Sequence, residues 1–401
     1  MTPTPAGARP VPMTRTCPLR PPEELDGLRA SAPVERVSFP NGAEGWLVTG
    51  YENARTVLND PAFSVRSPEY AYFARSGGTA VPPVPKGMFL SLDPPEHTSY
   101  RKLLDREFSA RRMNQLRPRI QQVIDQCLDG LEASGPPADL MAGLAYPVPL
   151  RVISDLLGVP AADRAEFKRV AEGAMRLDVT PEGQIAANQR LDEYLGAVIR
   201  RKRARPSDDL LSGLIARSGE DDLLDDGALV NIGKLLFIAG YETTANAIGL
   251  GVAVLAEHPG QHALLRDDPG LVDRAVEEIL RHQTLAHLGI QRVAVRDVEL
   301  GGVTIAAGDI VMAHTAAANL DEALTPDAAD LRVDRRPTAH LTFGFGPHQC
   351  LGRQLARIEL QMVFTSLLAR FPGMRLAAGL DEVPFRSGMV IYGMHRLPVT
   401  W

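Results

Sequence analysis

A cysteine in a glycine-rich stretch has the clearest chemical potential in this chain of 401 residues. Cys350 lies in the segment FGFGPHQCLG, residues 343–352, and an amphipathic helical pattern follows over residues 351–362. Gly344 and Gly346 allow a tight backbone turn towards the sulfur, and the positive end of the following helix favours a thiolate. Such a thiolate is a good axial ligand for haem iron. A lone cysteine is usually a small buried apolar residue, but the ten-residue context favours the ligand.

A second reactive group interrupts the longest apolar helical stretch, residues 235–255. The segment AGYETT places Ala239 and Gly240 beside Glu242 and Thr243. The two small residues leave room next to the helix backbone, and an acid and a hydroxyl adjoin that gap. Considered alone, the pattern favours a threonine bonded to its own helix and an exposed glutamate. Together with the cysteine loop, it favours a groove that holds dioxygen.

Composition narrows the function classes. Hydrophobic residues make up 45% of the chain and charged residues 23%, which allows a large core. The net charge of -6 argues against a nucleic-acid binder, because phosphate binding needs a basic face. Cys17, Cys127 and Cys350 show no CxxC spacing. They therefore predict neither a disulfide framework nor a zinc site, and they fit a reducing compartment.

The elements that position these residues are predicted to be mainly helical. Apolar residues recur three and four apart from 96 to 256, whereas strand-like alternation returns over 293–311 and near the C-terminus. Residues 1–40 are rich in proline and predict an extended N-terminal arm. With no internal repeat and no long linker, we expect one domain over 1–401.

A soluble, cytoplasmic protein is predicted. The proline-rich N-terminus lacks the apolar core of a signal peptide or membrane anchor. The apolar stretch 235–255 carries Glu242, Thr243, Thr244 and Asn246, a combination that is rare in a membrane span.

The segment FGFGPHQCLGRQLAR resembles the haem-binding loop of the cytochrome P450 superfamily, the haem-thiolate monooxygenases. Other segments resemble family motifs in the expected order: DPPEHTSYRKLL at 93–104, AGYETT at 239–244 and EILR at 278–281, then AAANLD and the final LPVTW. Each is weak alone, but together they are specific. The resemblance covers nearly the whole chain. It implies a mainly α fold with small β-sheets, in which a long central helix and the cysteine-loop helix sandwich the haem.

The resemblance also assigns roles to single residues. Cys350 is implied as the iron ligand, and Thr243 with Glu242 as the catalytic pair that delivers the protons for O–O cleavage. Glu278 and Arg281 are implied as a buried structural pair. The haem propionates need cations or donors, for which the implied residues are His97, Arg101, Arg292 and His348. The remaining implied haem contacts are Ala239, Gly240, Phe343, Gly344 and Gly352.

The substrate pocket follows partly from helical geometry. Residues four, five and eight before Thr243 share its face, which selects Ala239, Ile238 and Leu235. The resemblance adds the other walls: Met88, Phe89, Leu285, His287, Leu288, Met389 and Val390. For any one of these residues, a place in the ordinary hydrophobic core is almost as common as a place in the pocket wall. The wall is apolar except for His287, which suits a bulky hydrophobic substrate. Aromatic residues between 61 and 85 suit either a lid or a loop pinned to the core.

The resemblance implies a bacterial-type enzyme that receives electrons from NAD(P)H through a separate ferredoxin and ferredoxin reductase. We expect no fused reductase, a monomer, and a secondary metabolite such as a polyketide or macrolide as substrate. A basic docking face for an acidic ferredoxin is expected from Arg101, Lys102, Arg106, Arg111, Arg112, Arg353 and Arg357, although scattered solvated arginines would give the same pattern.

Two other functions stay open at this stage. The first is peroxide-driven oxidation or oxidative coupling by the same haem, and Glu242 and Thr243 argue against it because a peroxide user has less need of a proton relay. The second is a haem protein for electron transfer or gas sensing. Two departures from the family pattern are also noted: Leu320 replaces the usual arginine of an Asn-Arg-Asp segment, and Tyr241 is bulky for its position.

Overall fold

The computed structural model describes residues 8–40, 42–66, 83–175, 180–218, 222–386, 389 and 391–401. The chain divides into two compact units, and neither is a continuous stretch of sequence. The first is drawn from Met1–Pro82, Leu250–Cys350 and Gly379–His395, and the second from Pro83–Gly249, Leu351–Ala378 and Arg396–Trp401. The expected single domain over 1–401 stays a prediction.

Helices dominate the described residues, as the periodic apolar pattern predicts. They are α1 Glu24–Ser31, α2 Tyr51–Asn59, α3 Glu96–Asp105, α4 Ala110–Gln115, α5 Arg117–Ser134, α6 Pro147–Leu157, α7 Arg164–Met175, α8 Pro181–Ala204, α9 Leu210–Arg217, α10 Asp226–Glu257, α11 Pro259–Asp267, α12 Val272–His282, α13 Thr315–Ala318 and α14 Arg353–Arg370. Proline opens α6 and α11, where its missing N–H costs nothing. Gly158 ends α6 with a left-handed φ of 69°.

Four short strands lie over 290–313, around the predicted region 293–311, and one lies near the C-terminus, whereas most of the others occur where no strand was predicted. The strands are β1 Arg9–Pro10, β2 Val34–Ser38, β3 Glu44–Val48, β4 Phe63–Ser64, β5 Ala138–Asp139, β6 Ile290–Ala294, β7 Val298–Leu300, β8 Val303–Ile305, β9 Ile310–Ala313, β10 Arg375–Leu376 and β11 Pro398–Thr400. In the first unit, a six-stranded sheet has the order β1-β2-β3-β9-β6-β4. In the second, β11 pairs antiparallel with both β10 and β5.

The core of the first unit lies against the six-stranded sheet. Trp46 of β3 pairs with Val311 of β9, and the neighbouring Leu47 and Val48 are completely buried. The indole Nε1 of Trp46 donates to Asp309 at 2.8 Å. Because successive side chains of a strand point to opposite faces, this part of β3 is covered on both faces.

The N-terminal prediction needs a correction. Residues 1–40 were expected to be extended, but within the described part Glu24–Ser31 is a helix, and Arg9–Pro10 and Val34–Ser38 are strands. The prolines cluster before residue 23, so the segment ELDGLRAS is free to form a helix. Leu25 and Leu28 bury its apolar face.

The helix after the cysteine also differs in detail. It begins at Arg353, so Leu351 precedes it, and Leu355 and Ile358 are buried as predicted. Met362 is only partly buried, whereas Glu359, which the apolar pattern did not select, is buried.

Among the described residues, α10 is the one helix long and apolar enough to cross a membrane. Of its most apolar window, 61% is buried inside the protein. This burial is typical of the core helix of a globular protein.

Candidate functional site

The cysteine loop is a tight turn that requires glycine at two positions. Gly344 and Gly346 have φ angles of 69° and 72°, in the left-handed region. At Gly346 a Cβ atom would lie 2.8 Å from the carbonyl oxygen of Leu58, so a larger residue cannot fit without displacing α2. The backbone N–H of Cys350 donates to the carbonyl of Phe343 at 2.8 Å, which closes the loop. The sequence prediction of a tight, glycine-dependent loop is confirmed.

The three cysteines differ in their surroundings. Cys350 is exposed, Cys17 is partly exposed, and Cys127 is buried. Burial raises the pKa of the Cys127 thiol, which keeps it protonated and unsuited to binding iron. In the described part of the chain, no group of three or more His, Cys, Asp or Glu side chains forms a site for a metal ion. The exposed Cys350 at the end of its glycine loop fits a haem held by one thiolate.

Helix α2 braces the cysteine loop within the first unit. The guanidinium carbon of Arg55 lies 4.5 Å from the ring centroid of Phe345, a cation–π distance. The hydroxyl of Tyr51 donates to the carbonyl of Ala339 at 2.6 Å, just before the loop. These contacts join residues so distant along the chain that no local sequence pattern predicts them.

Glu278 and Arg281 form the buried pair that the resemblance implied. Their carboxylate and guanidinium make two hydrogen bonds of 2.8 Å, and the two side chains are 2% and 0% exposed. Arg335 and the backbone N–H of Arg332 also donate to Glu278. Burial alone raises the pKa of Glu278, but Arg281, the Arg332 N–H and Arg335 outweigh it and hold the pKa below its usual range. Glu278 is therefore ionised.

The segment with the missing arginine keeps the rest of its network. Asn319 donates to Thr284 and Thr342 at 2.7 and 3.0 Å and accepts from the backbone N–H of Leu341 at 2.6 Å. Leu320, where the family usually has arginine, is buried. A buried leucine needs no ionic partner, which explains why the neighbouring polar groups are satisfied without that arginine.

The central helix α10 carries an accessible stripe near its middle. Ala239 is exposed, and the other four members are partly exposed: Leu235, Ile238, Glu242 and Thr243. Their spacing of three and four residues places them on one face. Flanking residues such as Phe237 and Ala245 are completely buried. The structure thus groups the two predicted catalytic residues with three predicted pocket residues on this face.

Thr243 makes the intrahelical hydrogen bond that the pattern alone favours. Its hydroxyl donates to the carbonyl of Ala239 at 2.6 Å. The side-chain amide of Asn246 donates to the carbonyl of Glu242 at 2.9 Å. With its proton committed to Ala239, the Thr243 oxygen acts as an acceptor towards anything on the exposed face.

Gly240 and Tyr241 of α10 pack against other parts of the second unit. A Cβ atom on Gly240 would lie 3.1 Å from the side chain of Ile153, so glycine permits close packing of α6. Tyr241 is buried, with its ring centroid 5.6 Å from that of Phe237 and 5.9 Å from that of Tyr146. The bulky Tyr241 therefore belongs to the core and not to the accessible stripe.

Two of the predicted propionate contacts lie in the second unit and two in the first. In the second unit, His97 is buried on α3, and Arg101 lies 3.6 Å from Asp105. In the first unit, Arg292 is buried on β6 and donates to the carbonyl of Gln291 at 2.8 Å, while His348 ends a short helical turn of the cysteine loop. Their role towards haem stays a prediction. Phe343 is half-buried beside His340, and Gly352 caps α14 without close contacts.

Of the predicted pocket residues outside α10, some are buried, some are partly exposed, and one lies outside the described residues. Phe89 is buried with its ring centroid 6.5 Å from that of His97, whereas Met88 and Met389 are partly exposed. Leu285 is almost completely buried, and Leu288 packs in a hydrophobic core cluster of the first unit. Val390 and the aromatic residues expected in a lid lie outside the described residues.

His287 has partners that the sequence did not reveal. Its ring stacks on Tyr392 at a centroid distance of 5.3 Å, and its Nδ1 accepts from Arg15 at 3.4 Å. Arg15 is separated from His287 by 272 residues. No periodicity or motif connects residues so far apart. Arg15 also lies in the segment 1–40, which was predicted only to be an extended N-terminal arm.

Similarity to known proteins agrees with this geometry. The family model "Cytochrome P450" matches residues 175–373. The chain is 44% identical to nocardicin C N-oxygenase of Nocardia uniformis subsp. tsuyamanensis, covering 97% of this chain and 99% of the relative. It is 42% identical to mycinamicin IV hydroxylase/epoxidase of Micromonospora griseorubida, with coverage of 93% and 94%. The crystal structure of CYP105P1 with filipin I superposes with a TM-score of 0.92 at 50% identity, covering 98% and 99% of the two chains.

This mainly helical chain has a cysteine loop that requires glycine and a buried Glu-x-x-Arg pair. It also has an accessible glutamate and threonine on its central helix. Relatives more than 40% identical match it over nearly its full length. The chain therefore belongs to the cytochrome P450 family.

Proposed function

We propose that this chain oxidises an apolar secondary metabolite of the polyketide or macrolide type, by hydroxylation or epoxidation. As a member of its family it is an oxygenase with haem b as cofactor, dioxygen as co-substrate and electrons from NAD(P)H delivered through redox partners. The observation that carries the proposal is the exposed thiol of Cys350 at the end of a glycine loop. The names of the relatives, a macrolide hydroxylase/epoxidase among them, support the substrate class.

Cys350 is proposed as the only protein ligand to the iron. Bound haem supplies the redox chemistry that activates dioxygen, which no protein side chain can perform. The chain's part is to hold the sulfur in place, and the loop closure by Phe343 with the brace by α2 fixes its position. A fixed ligand requires little reorganisation when charge changes at the site.

Thr243 and Glu242 are proposed as the proton-handling pair. The Thr243 hydroxyl donates to Ala239, so its oxygen accepts a hydrogen bond from a protonated group on the exposed face. Glu242 neighbours it on the same accessible stripe and is partly exposed, so its carboxylate can exchange protons with water. The pair would thus hold and pass a proton at the Thr243 oxygen.

The apolar members of the stripe are proposed to bind the substrate. Leu235, Ile238 and Ala239 expose hydrocarbon beside Thr243 and offer few polar anchors. An apolar substrate covering this surface displaces water from it, which contributes both affinity and exclusion of water from the reacting groups.

We further propose that the protein is a soluble, cytoplasmic monomer served by a ferredoxin and a ferredoxin reductase. Lys102, Arg106 and Arg111 are exposed in the second unit and form the candidate docking face. Arg112, by contrast, is engaged with Glu107 and Asp208. Charge complementarity with an acidic ferredoxin would raise the association rate and make it sensitive to salt.

The substrate proposal is tested by screening macrolides and polyketides for a substrate-induced shift in the haem absorption spectrum. Hits are then incubated with surrogate ferredoxin, its reductase, NADPH and isotopically labelled dioxygen. We expect one labelled oxygen atom per product molecule. Products formed without label from dioxygen would contradict the proposal.

Peroxide-driven chemistry is the specific competitor. Replacing NADPH, redox partners and dioxygen by hydrogen peroxide separates the two. If peroxide alone supports faster product formation than the complete electron-transfer system, the proton-handling roles of Glu242 and Thr243 would have to be given up.

A further inference from the structure

The N-terminal segment places an arginine against the last hairpin of the first unit. The guanidinium carbon of Arg15 lies 3.7 Å from the ring centroid of Tyr392. Its NH1 group donates to the carbonyl of Arg20 at 2.9 Å, and its NH2 group donates to Nδ1 of His287 at 3.4 Å. Because His287 itself stacks on Tyr392, the three side chains form one cluster.

The positive charge of Arg15 has no carboxylate partner among the described residues. Burial lowers the pKa of Arg15 to about 10, and the groups that act against this are Tyr392 and Cys17, not an aspartate or glutamate. Burial also raises the pKa of Tyr392 to about 12. Burial, with the charge of Arg15, lowers the pKa of His314 to about 3. Arg15 is therefore charged at neutral pH, whereas the Tyr392 phenol and the His314 imidazole near it are neutral.

The hydrogen-bonding capacity of Arg15 is also incompletely used. A guanidinium has five N–H donors, of which the described contacts use two. Its Nε–H is enclosed and has no hydrogen-bond partner within the described residues. Arg15 is partly exposed, and a cation that has an enclosed, unpaired donor and no counter-charge can bind an external anion. The face of Tyr392 compensates only part of the lost solvation.

The cluster is attached to the segments proposed to bind substrate. The backbone N–H of Tyr392 donates to the carbonyl of Leu285 at 2.9 Å, and Ile391 forms a β-bridge with Ala286. Arg15 therefore contacts the same two chain segments that carry the pocket residues predicted at 285–288 and 389–390.

We propose that Arg15, held by Tyr392 and His287, binds a carboxylate group of the substrate. This rests on the proposed function, in that Leu285 and His287 belong to the pocket wall, and it narrows the substrate class to an apolar molecule with one carboxylate. A planar guanidinium matches a carboxylate through two parallel N–H donors, which gives orientation as well as affinity. Arg15 is thereby a specificity-determining residue.

The test uses a series of ω-imidazolyl alkanoic acids of graded chain length and their methyl esters. The imidazole nitrogen binds haem iron and shifts its absorption, so the dissociation constant of each probe is read optically. We expect the best-fitting acid to bind about tenfold more tightly than its ester, the size of a charge-assisted hydrogen bond. Arg15→Gln should abolish this preference and leave the ester affinity unchanged. The exposed neighbour Arg20 supplies the control, Arg20→Gln, which should keep the preference.

Equal affinities of acid and ester for the wild-type enzyme at every chain length would overturn the proposal alone. So would an undiminished preference in Arg15→Gln. If that variant does not fold, Arg15→Lys replaces it: lysine keeps the charge but lacks the planar fork, so the preference should fall several-fold, and a preference equal to wild type would contradict the proposal. A wild-type enzyme that binds free imidazole at its haem but gives no spectral shift with any probe would overturn this inference alone, whereas an enzyme without haem absorption would overturn the proposed function as well.

Discussion

Polar side chains are used differently around the cysteine loop and on the central helix. Glu278, Arg281 and Asn319 are buried in the first unit, and their donors and acceptors are bonded to one another, to threonine hydroxyls or to backbone N–H and carbonyl groups. On α10 of the second unit, Glu242 and Thr243 lie on an accessible stripe. The first arrangement fixes a backbone, whereas the second keeps polar atoms available to ligands. Substitutions in the two regions should therefore fail in different ways.

The largest effect of a substitution is expected at Cys350, which the cysteine loop holds in place. Cys350→Ser should abolish the red-shifted band of the ferrous carbon-monoxide complex, because that band requires a thiolate ligand. Cys17→Ser and Cys127→Ser are the matched controls and should keep it. Retention of the band in Cys350→Ser, with loss in either control, would assign the ligand to another cysteine.

The next largest effect is a loss of stability. Glu278→Ala leaves Arg281 and Arg335 without their carboxylate, and breaking a buried pair costs about 3–5 kcal/mol of unfolding free energy. Denaturant unfolding measures the change. Glu52→Ala, in an exposed pair with Arg55, should change stability by less than about 1 kcal/mol. Similar losses in both variants would show that the Glu278 network does not hold the fold.

On the central helix the expected failure is chemical. Thr243→Ala removes the acceptor oxygen from the accessible stripe, so reductant should be consumed with release of hydrogen peroxide, and product per reductant should fall about tenfold while the rate of reductant consumption changes less. The buried neighbour Thr244 provides the control variant Thr244→Ala. An unchanged ratio in Thr243→Ala would remove this residue from proton handling, and Glu242→Gln tests the acid in the same way.

A smaller effect separates the stripe from the core of the same helix. Ile238→Ala removes accessible hydrocarbon and should weaken substrate binding roughly tenfold, with little loss of stability. Ile232 is completely buried, so Ile232→Ala should instead cost about 2–5 kcal/mol and leave the site of oxidation unchanged. Met389→Ala, at a partly exposed position, is expected to behave like Ile238→Ala. If all of these variants altered stability alone, the stripe would be ordinary core.

The smallest effect contrasts two buried glutamates. Glu278 is ionised among cations, whereas burial raises the pKa of Glu359 on α14 to about 8, and its Oε2 has no hydrogen-bond partner among the described residues. The folded state therefore binds a proton more tightly than the unfolded state. The stability from this proton is present below the ordinary pKa of 4.5 and is lost as pH rises through about 8. Glu359→Gln should flatten that decline and raise stability at pH 8 relative to the wild type, by about 1.4 kcal/mol for each unit by which burial raises the pKa. An unchanged pH profile would contradict the assignment.

Sequence reasoning reached the parts of the fold that local patterns encode. The glycine loop, the accessible face of α10 and the Glu278–Arg281 pair each follow from spacing within a few residues, or from a motif made of such spacing. The fold class followed from helical periodicity and the family resemblance. Helix α1 was missed because the proline-rich context outweighed a short segment that contains none.

The rest depends on contacts between residues distant in sequence. Leu288 was assigned to the pocket, but it packs with residues such as Val11 and Ile310 in a core cluster. Its apolar type fits both roles, so only the tertiary structure distinguishes them. The partners of Arg15 and the burial of Glu359 likewise depend on packing that no local pattern records.

The small sheet of the second unit has a consequence for biosynthesis. Its middle strand is β11, Pro398–Thr400, which pairs with Ala138 on one side and Arg375 on the other. The backbone N–H of Leu140 also donates to the carbonyl of Leu397 at 2.9 Å. In a nascent chain, Ala138 and Arg375 therefore have no strand partner until residues 398–400 have been synthesised. Because the central strand follows both of its partners in the chain, the growing chain exposes two unpaired strand edges until then.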